Sequence, residues 1–385
     1  MKIVVAPDSF KGSFDSLKAT QIISQAIKDF DHQIEVVEIP MADGGEGTVC
    51  ALLQTIGGEE ITCTVEDPLG RLIEASYGWL KFKKAAIIET ASASGLPLLT
   101  LEELNPLQTS SFGTGQLIKD ALDRGAENII LGLGGSATVD AGVGLFQALG
   151  LIVLDKTGCE IDRVGGRLHE IHSIDIANVD SRLYNVKLTI ASDVTSPLLG
   201  EKGAVYMFGP QKGITTEQLP YFEKGMEHFS YVMNNVSVQD YRLYPGSGAA
   251  GGIGFSLLSL LDVQFESGLN LIVEMTNFRE HVKTADLVVT GEGKIDGQSL
   301  MGKVPVGLAR IAKENGVPVI VITGSIGDNS SLLEQEGIKA ILSIVDGPMS
   351  LKEAITNGET LLYETTKRMM KLLQIGTVLG RQKKS

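Results

Sequence analysis

Short runs rich in valine and isoleucine recur along this chain and stop at small or acidic residues: IVVAPDS, EVVEIPMADGG, NIILGLGGSAT, LTIASD, DLVVTGEG and VIVITGS. Apolar runs of this length, bounded by glycine, proline or aspartate, predict strands buried on both faces. Between many of them the apolar positions switch to helical spacing, as in SLKATQIISQAIKDF, GQLIKDALDRG and GLARIAKENG, with a glycine at or near several of the ends. Strand, helix and strand in repetition predict a parallel sheet with helices on its faces. The stretch from Ile61 to Thr90 departs from this rhythm, because it alternates and carries turn signals but has no helical pattern. It predicts antiparallel β structure and the start of a different domain.

A length of 385 residues exceeds what one hydrophobic core usually organises. The expected architecture is α/β with two domains: a Rossmann-like parallel-sheet domain made of residues 1–65 and 281–380, and a second α/β domain, 66–280, inserted in the middle of the chain. The run NIILGLGG fits either one. Two domains would leave a cleft for a site. No internal repeat or low-complexity tract interrupts the pattern.

Composition narrows the partners. A net charge of -14 repels phosphate backbones and anionic lipid, so nucleic acid and membrane surfaces are excluded as expected partners. No apolar run approaches the roughly 20 residues that span a bilayer, and MKIVVAPDSF is too short in its apolar part for an export signal, so a cytoplasmic protein is expected. Cys50, Cys63 and Cys159 lie in no Cys-x-x-Cys spacing and predict neither a disulfide framework nor a zinc site. A small anionic substrate must therefore meet local positive groups.

In open parallel sheets ligands bind beyond the carboxyl ends of the strands. Carboxylates recur there: Asp8, Asp43, Asp193 and Glu292 follow strand runs, and Asp296 lies just beyond the last. Any one of them has the ordinary reading of a helix cap. Their repetition, with glycines beside several, suits a Mg²⁺-nucleotide site, which needs hard oxygen ligands, exposed backbone N–H groups and a carboxylate base for a hydroxyl acceptor. Glycine-rich loops that could approach phosphate are ADGGEGT with Gly44 and Gly45, GLGGSAT with Gly134, Gly135 and Ser136, GSGAAGGIG with Gly251 and Gly252, and TGEGKIDG with Gly291 and Gly293. Positive charge beside such loops comes from Lys11, Lys212, Lys294 and Lys303, and Arg71 in the turn PLGR could grip a carboxylate.

Several tempting motifs fail. Gly246, Gly248 and Gly251 have dinucleotide spacing, but YRLYP is a poor preceding strand. Gly297, Gly302 and Lys303 imitate a P-loop, but Val304 stands where the Mg²⁺-binding hydroxyl belongs. His169 and His172 have metal spacing without an evident third ligand. No nucleophile elbow occurs, which disfavours hydrolysis.

The blocks APDSFKGS, ADGGEGT, DPLGR, GLGGSAT, SDVTSPLLG, FGPQKG, PGSGAAGGIG and VVTGEGKIDGQ, in that order, resemble the successive signatures of the type I glycerate kinases over nearly the whole chain. The chain departs from that pattern at Val139 and Ala141, where the family tends to have Asn and Gly, and at Ser196, where Asn is common. The resemblance implies transfer of the γ-phosphoryl group of ATP to D-glycerate with Mg²⁺, 2-phosphoglycerate being the more usual product, in a two-domain α/β enzyme whose partners are small molecules and whose state is monomer or homodimer. On that basis the expected catalytic residues are Asp193 as base, with Asp296 and Asp8 in reserve, and Lys11 and Lys294 on phosphate oxygens. Asp43 and Glu292 are expected at the metal, the loop glycines with Ser136 and Lys212 at the nucleotide, and Ser9 and Arg71 at the substrate. Two rival classes are a nicotinamide-dependent hydroxy-acid oxidoreductase, which needs the failed fingerprint, and a non-catalytic two-domain solute-binding protein, which has no use for so many carboxylates at strand ends.

Overall fold

A computed structural model of the chain describes residues 1–41, 48–301, 303–328 and 330–382. The fold divides into two compact units, Met1–Asp43 with Cys50–Ile56 and Leu269–Ser385, and Gly44–Val49 with Gly57–Gly268. The chain enters the first unit with β1 (Lys2–Val5) and β2 (Glu35–Glu38). It then builds in the second unit β3 (Glu59–Glu66), β4 (Leu72–Leu80), β5 (Ala85–Glu89), β6 (Asn128–Gly132), β7 (Ile152–Leu154), β8 (Ser173–Asp175), β9 (Lys187–Ala191) and β10 (Val263–Glu266), and returns to the first with β11 (Leu287–Ile295), β12 (Val319–Ile326) and β13 (Ile338–Ser343).

In the first unit the sheet order is β13-β12-β11-β1-β2, every pairing parallel. From β1 the chain winds to one side and from β11 to the other, so these two neighbours form the sheet's topological switch point. One helix, Ser16–Phe30, shows how the sequence covers the sheet. Asp15 caps it by accepting from the Lys18 N–H at 2.7 Å, and Ala19, Ile23, Ala26 and Ile27 fall on one buried face. That face joins Ile3, Val5, Val289 and Ile322 in the core, together with Leu362 and Met369 from the long C-terminal helix Gly358–Gln382. Each fully buried Ile or Val contributes about 1.5–3 kcal/mol.

The second unit has a six-stranded sheet, β10-β9-β6-β5-β4-β3, in which β5, β6, β9 and β10 run parallel and β3 and β4 antiparallel. The alternating segment thus forms β3 and β4 as expected, while β5 turns the chain into the parallel part. NIILG belongs here as β6. Because β3 pairs with β4 from Glu59↔Trp79 to Glu66↔Leu72, it belongs whole to this unit, ahead of the boundary at 65/66 suggested by pattern. A separate β7-β8 pair, unremarked in the sequence, lies outside the main sheet. The α/β class with parallel sheets is the one the hydrophobic pattern predicts.

Candidate active site

At the switch point of the first unit, the segment after β1 continues along β11. Ala6 N–H donates to Val289 O and Asp8 N–H to Gly291 O, both at 2.8 Å, which sets Asp8, beyond the end of β1, beside the middle of β11. A side chain at Gly291 would put its Cβ 2.1 Å from Ile322 O, and one at Gly293 would put it 3.3 Å from the backbone nitrogen of Lys11. Gly291 thus lets β12 lie close to β11, and Gly293 does the same for the segment after β1. Asp8 accepts from its neighbour's N–H, Ser9, at 2.6 Å.

Glu292 lies where β11 leaves the core and is 7% exposed. Ser299 Oγ donates to its Oε1 at 3.0 Å, and Lys303 Nζ lies 3.6 Å from Oε2. Burial pushes the carboxyl above its ordinary value, Lys303 and Ser299 pull the other way, and the charge of Asp296 adds to the rise. Lys294 pairs with Asp296 at 3.2 Å and keeps a side chain 64% exposed. Lys11 is exposed as well. One strand edge therefore brings together Asp8, Ser9, Lys11, Gly291, Glu292, Gly293, Lys294 and Asp296. Lys303, one of the four lysines noted beside the glycine loops and the tail of a failed P-loop, joins them as the counter-charge of Glu292.

In the second unit, the register Glu89↔Gly132↔Ala191↔Glu266 marks the carboxyl edge of the four parallel strands. Beyond β6, Gly134 is half-buried and Gly135 exposed with φ +71°; beyond β9, Asp193 is exposed. Glu89 was not singled out in the sequence, although AAIIET obeys the same strand-end rule. It is buried and accepts from the Val49 N–H at 2.8 Å. Asp43, Gly44 and Gly45 lie outside the described residues.

Beneath the loop after β6 lies Lys212, 2% exposed, donating from Nζ to Ser136 Oγ and to Thr138 O at 2.8 Å each. Burial pushes its ammonium down to about 7, against the pull of the Asp140 carboxylate. Asp140 is fully buried and accepts from the N–H groups of Ser111, Gly142 and Gly144 and from Ser111 Oγ. Gly251 and Gly252 are also interior: a Cβ on Gly251 would lie 2.0 Å from Thr138 O. Close backbone packing is what these two glycines serve here, so GSGAAGGIG supports the loop from behind and does not itself offer N–H groups at the surface. Arg71, in the β3–β4 turn, spends its guanidinium on Asp67 at 2.5 Å and Glu103 at 2.6 Å, and so would take a substrate carboxylate by giving up one of these.

No group of three or more His, Cys, Asp or Glu side chains among the described residues is arranged to hold a metal by itself. Mg²⁺ at a nucleotide asks for less, because it is held by one or two carboxylates with phosphate and water completing the shell. Glu292, a desolvated oxygen donor with Asp296 near enough to raise its proton affinity, fits that requirement.

Carboxylates, lysines and glycine loops at the carboxyl ends of parallel strands are the equipment of an α/β small-molecule kinase. The model of the glycerate kinase family matches residues 3–374, and the chain belongs to that family. A glycerate kinase of Halalkalibacterium halodurans is 46% identical over 95% of this chain and 97% of its own. A glycerate 2-kinase of Escherichia coli is 41% identical over 98% and 99%. A solved Salmonella typhimurium LT2 structure assigned to glycerate kinase 2 superposes with a TM-score of 0.87 at 38% identity, covering 98% of this chain and 99% of that one.

Proposed function

We propose that this enzyme transfers the γ-phosphoryl group of ATP to D-glycerate with Mg²⁺, and that the product is 2-phosphoglycerate. The observation that carries the reading is family membership over nearly the whole chain, with a glycerate 2-kinase among the relatives. Phosphoryl transfer depends mainly on positioning and charge stabilisation, and the two strand edges hold groups of the right kinds. Asp193 accepts the proton of the attacking hydroxyl, with Asp296 and Asp8 as the alternatives. Lys11 and Lys294 neutralise phosphate oxygens. Glu292, with Asp43, would hold Mg²⁺, which supplies further neutralisation of the phosphates. The N–H groups of Gly134, Gly135 and Ser136 face phosphate; Ser9 and Arg71 remain the candidates for the glycerate end. A reaction that consumes ATP belongs in the cytoplasm, and the acidic chain suits small-molecule partners better than nucleic acid or membrane surfaces.

Incubation with ATP, Mg²⁺ and D-glycerate, read by phosphorus NMR, tests this. The expected result is ADP with 2-phosphoglycerate, abolished by EDTA and restored by Mg²⁺. Comparable ADP release without glycerate would reduce the activity to that of a plain ATPase, and 3-phosphoglycerate would overturn the product assignment.

A further inference from the structure

Lys212 is a lysine with almost no access to solvent, in a part of the second unit that the reaction as described does not use directly. Such burial is costly for a charge and is tolerated where the group is paired and bonded. Here its two bonds go to one place. Ser136 Oγ and Thr138 O both belong to the loop after β6, and the opposing charge, Asp140, sits at the end of the same loop. Asp140 in turn fixes the backbone of Gly142 and Gly144, and Gly251 O accepts from the Ala141 N–H at 3.1 Å. The stretch Gly134–Gly135, half-buried and then exposed, is therefore continuous with a segment anchored at Ser136, Thr138, Asp140 and Ala141.

We infer that Lys212 is a positioning residue, which acts on the nucleotide through the Gly134–Thr138 loop and not by touching phosphate itself. The inference rests on the reading of that loop as a phosphate cradle. Charge matters to the task, because hydrogen bonds from an ammonium are roughly twice as strong as those from a neutral donor, and because Asp140 otherwise keeps a buried negative charge opposite a neutral amine. Lys212 stands in the single-turn helix Pro210–Lys212, and the charged group facing it is Asp140. Its proton leaves near pH 7 in the folded enzyme. The loop should thus be held most firmly below that pH and less firmly above it.

The test compares wild type, Lys212→Met, Lys212→Arg and, as a reference for the loop, Gly135→Val, measuring kcat, the KM for ATP and melting temperature across pH 6–9. Met matches the length of the stem but leaves Thr138 O and the Asp140 charge without their partner, so the expected result is a lower melting temperature together with kcat/KM lower by about 10²-fold at temperatures where the variant is still folded, the scale on which small misplacements act. In wild type kcat/KM should fall as pH rises through about 7, and this limb should be absent in Lys212→Arg, whose charge persists at every pH. Constants within twofold of wild type in Lys212→Met, or an identical alkaline limb in Lys212→Arg, would overturn the inference. If Lys212→Met does not fold, the limb decides alone, and its absence from wild type overturns the inference equally. Gly135→Val separates this from the cradle reading: an unchanged KM for ATP there removes the cradle, whereas a raised KM beside an indifferent Lys212→Met removes Lys212 only.

Discussion

Glu292 shows how one side chain can be spent on function at the expense of stability. It is a carboxylate largely withdrawn from water, bonded by Ser299 and faced by Lys303. Its folded proton affinity is raised, burial outweighing both partners. For a group shifted this way, the stability it contributes is complete below its unfolded value and is lost as pH rises through the folded one. At neutral pH the ionised form is therefore a burden on the fold. Glu292→Gln keeps an acceptor for Ser299 and removes that burden, so its melting temperature should equal or exceed that of wild type at pH 7, the margin closing as pH falls toward the ordinary value of 4.5. Turnover should fall by about 10²-fold or more, on the scale of losing a group that stabilises transferred charge. Activity within a few-fold of wild type, with the stability gain present, would show that Glu292 is a structural carboxylate and remove it from the metal site.

At the scale of elements, the strands and the residues following them were legible because a parallel sheet writes both rules into local sequence: apolar runs for the interior, then small or acidic residues at the edge. Asp8, Glu292 and Asp193 were found that way, and Glu89 obeys the same rule although it was passed over. What local sequence does not carry is the distance between segments far apart in the chain. Lys303 could be named as a positive charge near the loops but not paired, because its contact with Glu292 is made across the turn Gly297–Met301 and follows no spacing rule. Lys212 gave no sign of burial, since its acceptors lie in another element. GSGAAGGIG could be read as cradle or as packing until its neighbour was known. Ala141 holds a left-handed backbone that favours glycine, with φ +53°. The packing role predicts a specific outcome for Gly251→Ala: the new methyl meets Thr138 O in a left-handed backbone at φ +68°, so the loss should exceed about 1–2 kcal/mol in denaturant unfolding. An undiminished unfolding midpoint would show that the backbone there can move aside and that the glycine is not needed for support.

For the whole molecule the relevant quantity is the field that an approaching anion meets. At the edge of the first unit Lys294 and Lys303 lie against the carboxylates of Asp296 and Glu292, and Lys11 shares that edge with Asp8. Local charge there nearly cancels, which leaves the net charge of -14 to act at longer range. A nucleotide or glycerate anion is then repelled during encounter and attracted only once it displaces a lysine from its carboxylate. Salt screens the long-range part first, because the Debye length shrinks from about 30 Å at 0.01 M to about 8 Å at 0.15 M, while contacts of a few ångströms are screened much less. With free Mg²⁺ held constant, kcat/KM for glycerate should therefore rise between those two salt concentrations, with kcat itself nearly unchanged because the bound state is governed by the short contacts. A fall in kcat/KM over the same range would mean that the lysines outweigh their partners and steer the substrate in, and the cancellation argued here would be wrong.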